Sequence, residues 1–284
     1  MACRHNSILF KLNNEKSTDD CMDIPVSSWY NAIFQRYSRR KYTGTPISDD
    51  LLDSLEELSK TFKPFNGARS LLMRSTPDKL FKGVIGSYGA VKNAPHFFAL
   101  IGDMAEKHVQ EASGYHGEAL VLAATSKGID TCWVGGFFRP EVVSNKLEMA
   151  DHEKVMAVIP IGHAAEEKTK LERAMSDLIG SRRRRALSDL LYLGSEDPSG
   201  WTMKAIGAAR LAPSAVNRQP WRFNITDKSI EVYAHNGKSF SSSISPRLDC
   251  GIAMLHLELG ALEAGVKGEW QLLDEAPIAR YVTS

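Results

Sequence analysis

Two periodicities run along the chain. After the polar stretch 13–23, the segment Pro25-Val26-Ser27-Ser28-Trp29 opens a helical pattern that continues to about Gln35, with Ser27 or Ser28 as its cap. Pro46-Ile47-Ser48 opens another, in which Ser48 can cap and Leu51, Leu52, Leu55 and Leu58 form one apolar stripe. The unbroken run His96-Phe97-Phe98-Ala99-Leu100-Ile101 predicts a buried strand ending at Gly102, and residues 154–161 predict another ending at Gly162. Between them lies a long predicted helix, from about Gly114 to Lys127 and stopped by Gly128. Alternating helices and strands of this kind predict a mixed α+β chain.

Sliding the sequence against itself by 137 residues exposes a repeat. Gly114, Leu120, Leu122, Ala124, Gly128 and Trp133 fall on Gly251, Leu257, Leu259, Ala261, Gly265 and Trp270. Leu120, Ala124 and Gly128 are spaced by four, the stripe of a helix that packs closely and stops at glycine. Shared composition explains matching leucines and alanines. It does not explain the glycine stop followed by tryptophan five residues later, which favours duplication. The expected layout is a polar leader over 1–24, a first half over 25–180 and a second, degenerate half over 181–284.

Composition narrows the function classes. With 35 basic and 34 acidic residues the net charge is +1, so no global field draws the chain to nucleic acid or to a membrane. Cys3, Cys21, Cys132 and Cys250 are far apart, which argues against a zinc site or disulfide scaffold and fits a reducing compartment. No apolar run is long enough for a signal peptide or a membrane span. The expectation is a soluble, cytoplasmic protein with no metal, no nucleic-acid partner and no membrane partner. Glycine-rich phosphate loops, the GxSxG nucleophile turn and the HExxH zinc motif are also missing from the sequence.

The densest chemistry lies in Ala212-Pro213-Ser214-Ala215-Val216-Asn217-Arg218-Gln219-Pro220-Trp221. Its two prolines exclude one continuous helix or a central strand, and Ser214 and Asn217 supply short polar groups suited to a turn or a ligand. A second cluster is Arg36-Tyr37-Ser38-Arg39-Arg40. In an extended segment Arg36, Ser38 and Arg40 point to one side; taken alone, the run also fits a solvated basic helix end. A third is Trp133-Val134-Gly135-Gly136-Phe137, where the absence of Cβ lets backbone amides approach a planar ring, or makes a simple turn.

These three segments together resemble the FMN-dependent nitroreductase family. The loop matches its Pro-Ser-x-x-Asn-x-Gln-Pro-Trp motif, which contacts flavin from the partner subunit, and Arg36, Ser38 and Arg40 match its Arg-x-Ser-x-Arg signature. The resemblance implies an α+β fold with a central, mostly antiparallel sheet flanked by helices, here doubled in one chain as a fused pseudo-dimer. It implies FMN as cofactor, held by Arg36, Tyr37, Ser38 and Arg40 at the phosphate and ribityl end. Gly135, Gly136, Pro213, Ser214, Ala215 and Asn217 would lie near the ring. Lys170 and Arg173, after the Gly162-His163 pair, are the side chains expected to close over the phosphate, although the family's prolines are missing there. Tyr37 and Ala215 also depart from the usual pattern.

The Arg-x-Ser-x-Arg element is intact only in the first half, and the proline-bounded loop only in the second. One composite site per chain is therefore expected. The run Arg182-Arg183-Arg184-Arg185 reads as a degraded second copy of the arginine element, His116 and His256 as packed or surface imidazoles rather than catalytic ones, and Asp249 as a helix cap. The implied activity is an NAD(P)H oxidoreductase that reduces a small acceptor, of nitroaromatic or quinone type, by ping-pong hydride transfer through flavin N5. No protein residue is expected to act as a catalytic acid or base. The alternatives are a flavin storage or sensor protein with little turnover, and a structural pseudo-dimer with a partner groove. The chain would act as a monomeric pseudo-dimer, with further oligomerisation left open.

Overall fold

The computed structural model describes residues 24–81, 91–165, 183–192, 195, 197–235 and 244–283. At its centre two helices of equal length cross: α3 (Val109–Ser126) and α7 (Pro246–Glu263). Their contact is close because glycine stands at the crossing on both sides. A Cβ built on Gly114 would lie 2.0 Å from the Leu248 carbonyl oxygen, and one on Gly251 would lie 2.1 Å from that of Glu111. These two glycines are partners in the 137-residue repeat.

The elements before and after each central helix come in the same order. In the first set, α1 (Val26–Gln35) and α2 (Asp49–Thr61) precede β1 (Ala68–Met73) and β2 (His96–Asp103). After α3 come β3 (Asp130–Thr131), the short α4 (Pro140–Ser144) and β4 (Glu153–Gly162). In the second set, α5 (Leu187–Leu190) and α6 (Gly200–Ala209) precede β5 (Trp221–Thr226) and β6 (Ser229–Ala234). After α7 come β7 (Gly268–Leu272) and β8 (Ala279–Thr283). The strands form two four-stranded antiparallel sheets, ordered β1-β2-β4-β3 and β5-β6-β8-β7. This is the α+β architecture of antiparallel sheets flanked by helices that the sequence led us to expect.

The repeat extends to the helix ends. Gly128 and Gly265 take φ of +76° and +79°, the left-handed region that only glycine enters freely. Beyond each, Ile129 N–H donates to Ala124 and Val266 N–H to Ala261, both at 3.0 Å. Trp133 and Trp270 then fold back onto glutamates of their own central helix: Nε1 donates to Glu118 at 2.7 Å and to Glu258 at 2.8 Å.

Burial explains the run in β2. Phe98 and Leu100 face the main core around α3, while Phe97 and Ala99 face a smaller core with Leu80, Phe81, Phe138, Val143 and Val158. A strand covered on both faces reads as unbroken apolar sequence. In β5 only Trp221, Phe223 and Ile225 are buried, so that strand alternates.

Several local expectations need correction. The α1 helix begins at Val26 behind Pro25, and neither Ser27 nor Ser28 caps it. Ser48 holds the N-cap position of α2 but makes no side-chain capping bond. The α3 helix begins five residues earlier than Gly114, at Val109, because Glu111 and Ser113 are buried rather than exposed. Asp249 lies inside α7, whose cap is Ser245. Among the described residues, no helix is long and apolar enough to cross a membrane.

Candidate functional site

The arginine element leaves α1 as an extended segment. Gln35 ends the helix, and Arg36 turns to φ −56° and ψ 129°. Ser38 then bridges Thr131, and Arg39 N–H donates to the Thr131 carbonyl at 2.8 Å. Further on, Lys92 N–H donates to Arg40, and Ala165 N–H donates to Lys41 at 3.0 Å. Residues alternate sides along such a backbone. Arg39 packs over the Tyr37 ring at 5.3 Å, with its Nε 3.5 Å from Asp130.

Arg36 turns inward, and only 7% of its side chain is exposed. Its Nε lies 3.8 Å from Glu118 Oε1 and has no hydrogen-bond partner. Glu118 is wholly buried and already receives Trp133 on one oxygen, while its other oxygen pairs with His256 Nε2 at 2.8 Å. A guanidinium N–H left unsatisfied beside an already engaged carboxylate is costly, and an added acceptor would relieve it. His256 also meets the Ala208 carbonyl, and His116 sits between Ser70 and the Phe62 carbonyl. Both histidines are packed imidazoles rather than surface ones.

The proline-bounded loop is a short 3-10 turn over Ala215–Asn217. Val216, Asn217 and Gln219 take φ of 49°, 54° and 47°, a region that costs non-glycine residues on the order of 1 kcal/mol each. Several hydrogen bonds hold this backbone in place. Gln219 N–H donates to Ser214 Oγ at 3.0 Å, and Asn217 N–H donates to the Ser214 carbonyl at 3.0 Å. The Asn217 and Gln219 amides both donate to the Arg183 carbonyl, and Gln219 Oε1 accepts from Arg185 N–H at 2.9 Å. From α7, Asp249 accepts Ala215 N–H at 3.1 Å and Arg218 Nε at 2.6 Å. Its carboxyl is pushed up to about 6 by burial, against the pull of Arg218.

Arg184 and Arg218 connect this loop to its surroundings. At one end, Arg184 donates to Asn217 Oδ1 at 3.3 Å and to the Leu211 carbonyl at 3.2 Å. Burial holds the Arg184 guanidinium down to about 10, and the nearby charges of Arg36 and Arg210 add to this. Arg184 thus sits within Coulomb reach of two further guanidiniums, and a bound anion would offset that repulsion. At the other end, Arg218 donates to the Ile244 carbonyl at 2.9 Å. Ile244 in turn covers Gly135, where a Cβ would lie 2.7 Å from Ile244 Cδ1. The Gly135-Gly136 turn follows Val134, whose backbone pairs with Val158 in both directions.

The residues singled out from sequence fall into two groups. Arg36, Tyr37, Ser38 and Arg40 share one extended segment, and Pro213, Ser214, Ala215 and Asn217 share one half-buried loop, with Gly135 and Gly136 reached through Ile244. Lys170 and Arg173 lie outside the described residues, as does Arg182. Sequence reasoning missed Glu118, Arg218 and Ile244 at the site. Asp249 was misread as a cap, and Arg184 was noticed only as part of a charge run.

The family model described as "Putative TM nitroreductase" matches residues 28–261. The chain belongs to this nitroreductase family. A structure described as that of "a putative nitroreductase" from Thermotoga maritima MSB8 shares 20% identity with this nitroreductase-family chain. It matches at a TM-score of 0.58, over 90% of this chain and 92% of that one. A nitroreductase with bound FMN from Desulfitobacterium hafniense DCB-2 shares 21% identity over 50% of this chain and 91% of its own, at a TM-score of 0.43. A nitroreductase family protein from Clostridium novyi NT shares 22% identity over 51% of this chain and 90% of its own, at a TM-score of 0.42. No curated protein sequence matches the chain.

Proposed function

We propose that this chain is an FMN-dependent oxidoreductase that takes hydride from NAD(P)H and delivers it to a small acceptor of nitroaromatic or quinone type. The carrying observation is the buried Arg36 guanidinium, with the part-buried Arg184 near it, where the two segment sets approach each other. Arg36 comes from one set, Arg184 and Arg210 from the other, and the buried Arg36 Nε has no hydrogen-bond acceptor. A phosphate monoester fits that donor set. The bound FMN would supply the redox chemistry.

The protein's own residues hold and orient. Arg36, Ser38 and Arg40, with Tyr37 beside them, would grip the phosphate and ribityl end, and Lys170 and Arg173 would close over it. Gly135 and Gly136 would present backbone amides to the ring edge, while Pro213, Ser214, Ala215 and Asn217 would form the opposing wall. Positive potential and backbone dipoles at that wall favour added negative charge on the ring, without a protein acid or base.

The chain would hold one such site as a fused pseudo-dimer of units 25–180 and 181–284. At the positions related by 137 residues the contact has different chemistry. Lys107 replaces Ile244 and Leu272 replaces Gly135, and Lys107 is paired to Asp274 at 2.8 Å. Next to it Arg247 is tied to Glu111 and to the Leu273 carbonyl.

An anaerobic visible spectrum of the FMN-reconstituted protein, before and after NADH or NADPH, tests the proposal. One equivalent of flavin per chain that bleaches rapidly is expected. One equivalent that resists both nucleotides would identify a storage or sensor protein, and no retained flavin would overturn the reading.

A further inference from the structure

We infer that Asp249 is a positioning residue that sets both walls of the ring end at once, an inference that rests on the flavin reading above. Asp249 is 1% exposed in the first turn of α7, and each of its oxygens is committed. Oδ1 accepts Ala215 N–H within the proline-bounded loop, and Oδ2 accepts Arg218 Nε. The same guanidinium donates from Nη2 to the Ile244 carbonyl, and Ile244 is the residue packed on Gly135. One carboxylate thus fixes the loop directly and the glycine turn through Arg218 and Ile244.

The loop needs such an anchor. Three of its non-glycine residues sit at positive φ, and strain of that kind persists only where the surroundings over-determine the backbone. Ser214, Asn217 and Gln219 bind the loop to itself and to the Arg183 carbonyl, but its two bonds to Asp249 tie it to the central helix pair. Among the described residues, the charged and titratable groups around Asp249 are these. Arg218 faces it from the loop, Cys250 adjoins it on α7, and the Glu111–Arg247 pair links α3 to the same turn of α7. Burial puts its proton uptake near pH 6, and a protonated Asp249 no longer supplies the charge that holds Arg218.

Amide hydrogen exchange on the FMN-free protein, read by mass spectrometry at pH 7.5, compares wild type with Asp249→Asn. Exchange should rise together at residues 212–219 and 133–138, while β2 stays protected. A rise confined to the loop, or no rise, overturns the inference. FMN titrations at pH 7.5 and 5.5 provide the second readout. Wild-type affinity should fall roughly fourfold at the lower pH, the loss of ionised form for a group titrating near 6. Asp249→Asn should bind about tenfold more weakly at pH 7.5 and lack that fall. The second ionisation of the phosphate, near pH 6, acts equally on both proteins. Parallel pH profiles would overturn the pH component. If wild type binds no FMN, the flavin reading fails, and exchange still decides whether Asp249 couples the walls. Should Asp249→Asn not fold, Arg218→Gln carries the test: exchange must rise at 133–138.

Discussion

The two sheets share a strand order and differ in what covers them. The first is buried on both sides of β2, with Phe98 and Leu100 in the main core and Phe97 and Ala99 in a second one. The second buries Trp221, Phe223 and Ile225 on one face. It carries Asn224, Glu231, Tyr233 and Arg280 on the other as a hydrogen-bonded network centred on Glu231. Strand order and the glycine contact of the central helix are alike in the two sets, whereas surface chemistry is not. What must match is what packs the central helices. Outside that contact the two sets differ: the extended arginine segment belongs to one and the proline-bounded loop to the other.

The largest effect should come from breaking the part that matches. Gly114→Ala or Gly251→Ala places a methyl about 2 Å from a facing carbonyl, so the crossing must open. Each should cost ~3 kcal/mol or more in urea unfolding, and the pair less than the sum because they share one contact. Next comes the part that differs. Arg36→Ala should weaken FMN binding by ~3 kcal/mol, since it removes a phosphate donor and leaves Glu118 short of a positive partner; Arg280→Ala, on the second sheet's outer face, should leave it unchanged. Equal losses from both substitutions would dissolve the distinction between the sets.

The two sets should also carry pH effects of opposite sign, through His116 in the first and Asp249 in the second. His116 is held down to about 4 by burial, with the charge of Lys63 adding to this, and the position 137 residues on is Ala253. The unfolded chain takes this proton near 6.5. The folded-state contribution is therefore complete above pH 6.5 and is lost as pH falls toward 4, by up to ~3 kcal/mol. Asp249, held up near 6, gains stability over the same range in both proteins, so the check is a difference: in denaturant melts the advantage of wild type over His116→Gln should shrink between pH 7.5 and 4.5. The smallest effect should be a gain. No atom lies within 4 Å of a Cβ on Gly207 inside α6, so Gly207→Ala should stabilise by about 0.5–1 kcal/mol. A loss there would mean that α6 is packed more tightly around Gly207 than that open space indicates.

Where pattern and burial coincide, the sequence was readable. The β2 run, the α2 stripe and the glycine stops each depend on residues within a few positions, and the repeat linked Gly114 to Gly251 before their crossing was visible. Arg36 and Pro213 were legible as motifs. Other features depend on contacts made at long range. Glu111 and Ser113 are polar by composition yet buried, so the first turn of α3 was missed. Asp249 looks like a cap because it stands near a helix start; only the fold brings Ala215 and Arg218 to its two oxygens. Ile244 carries no chemical signal at all. Its place over Gly135 follows from where α7 begins.

The glycine-to-backbone crossing of α3 and α7 is made within a single polypeptide. Its formation is a first-order event with no term in protein concentration, so dilution cannot separate the two sets of elements. It also means that each substitution is encoded and displayed once. Where a symmetric dimer must accept every change on both sides of its axis, this chain can alter one wall and leave its counterpart as it was.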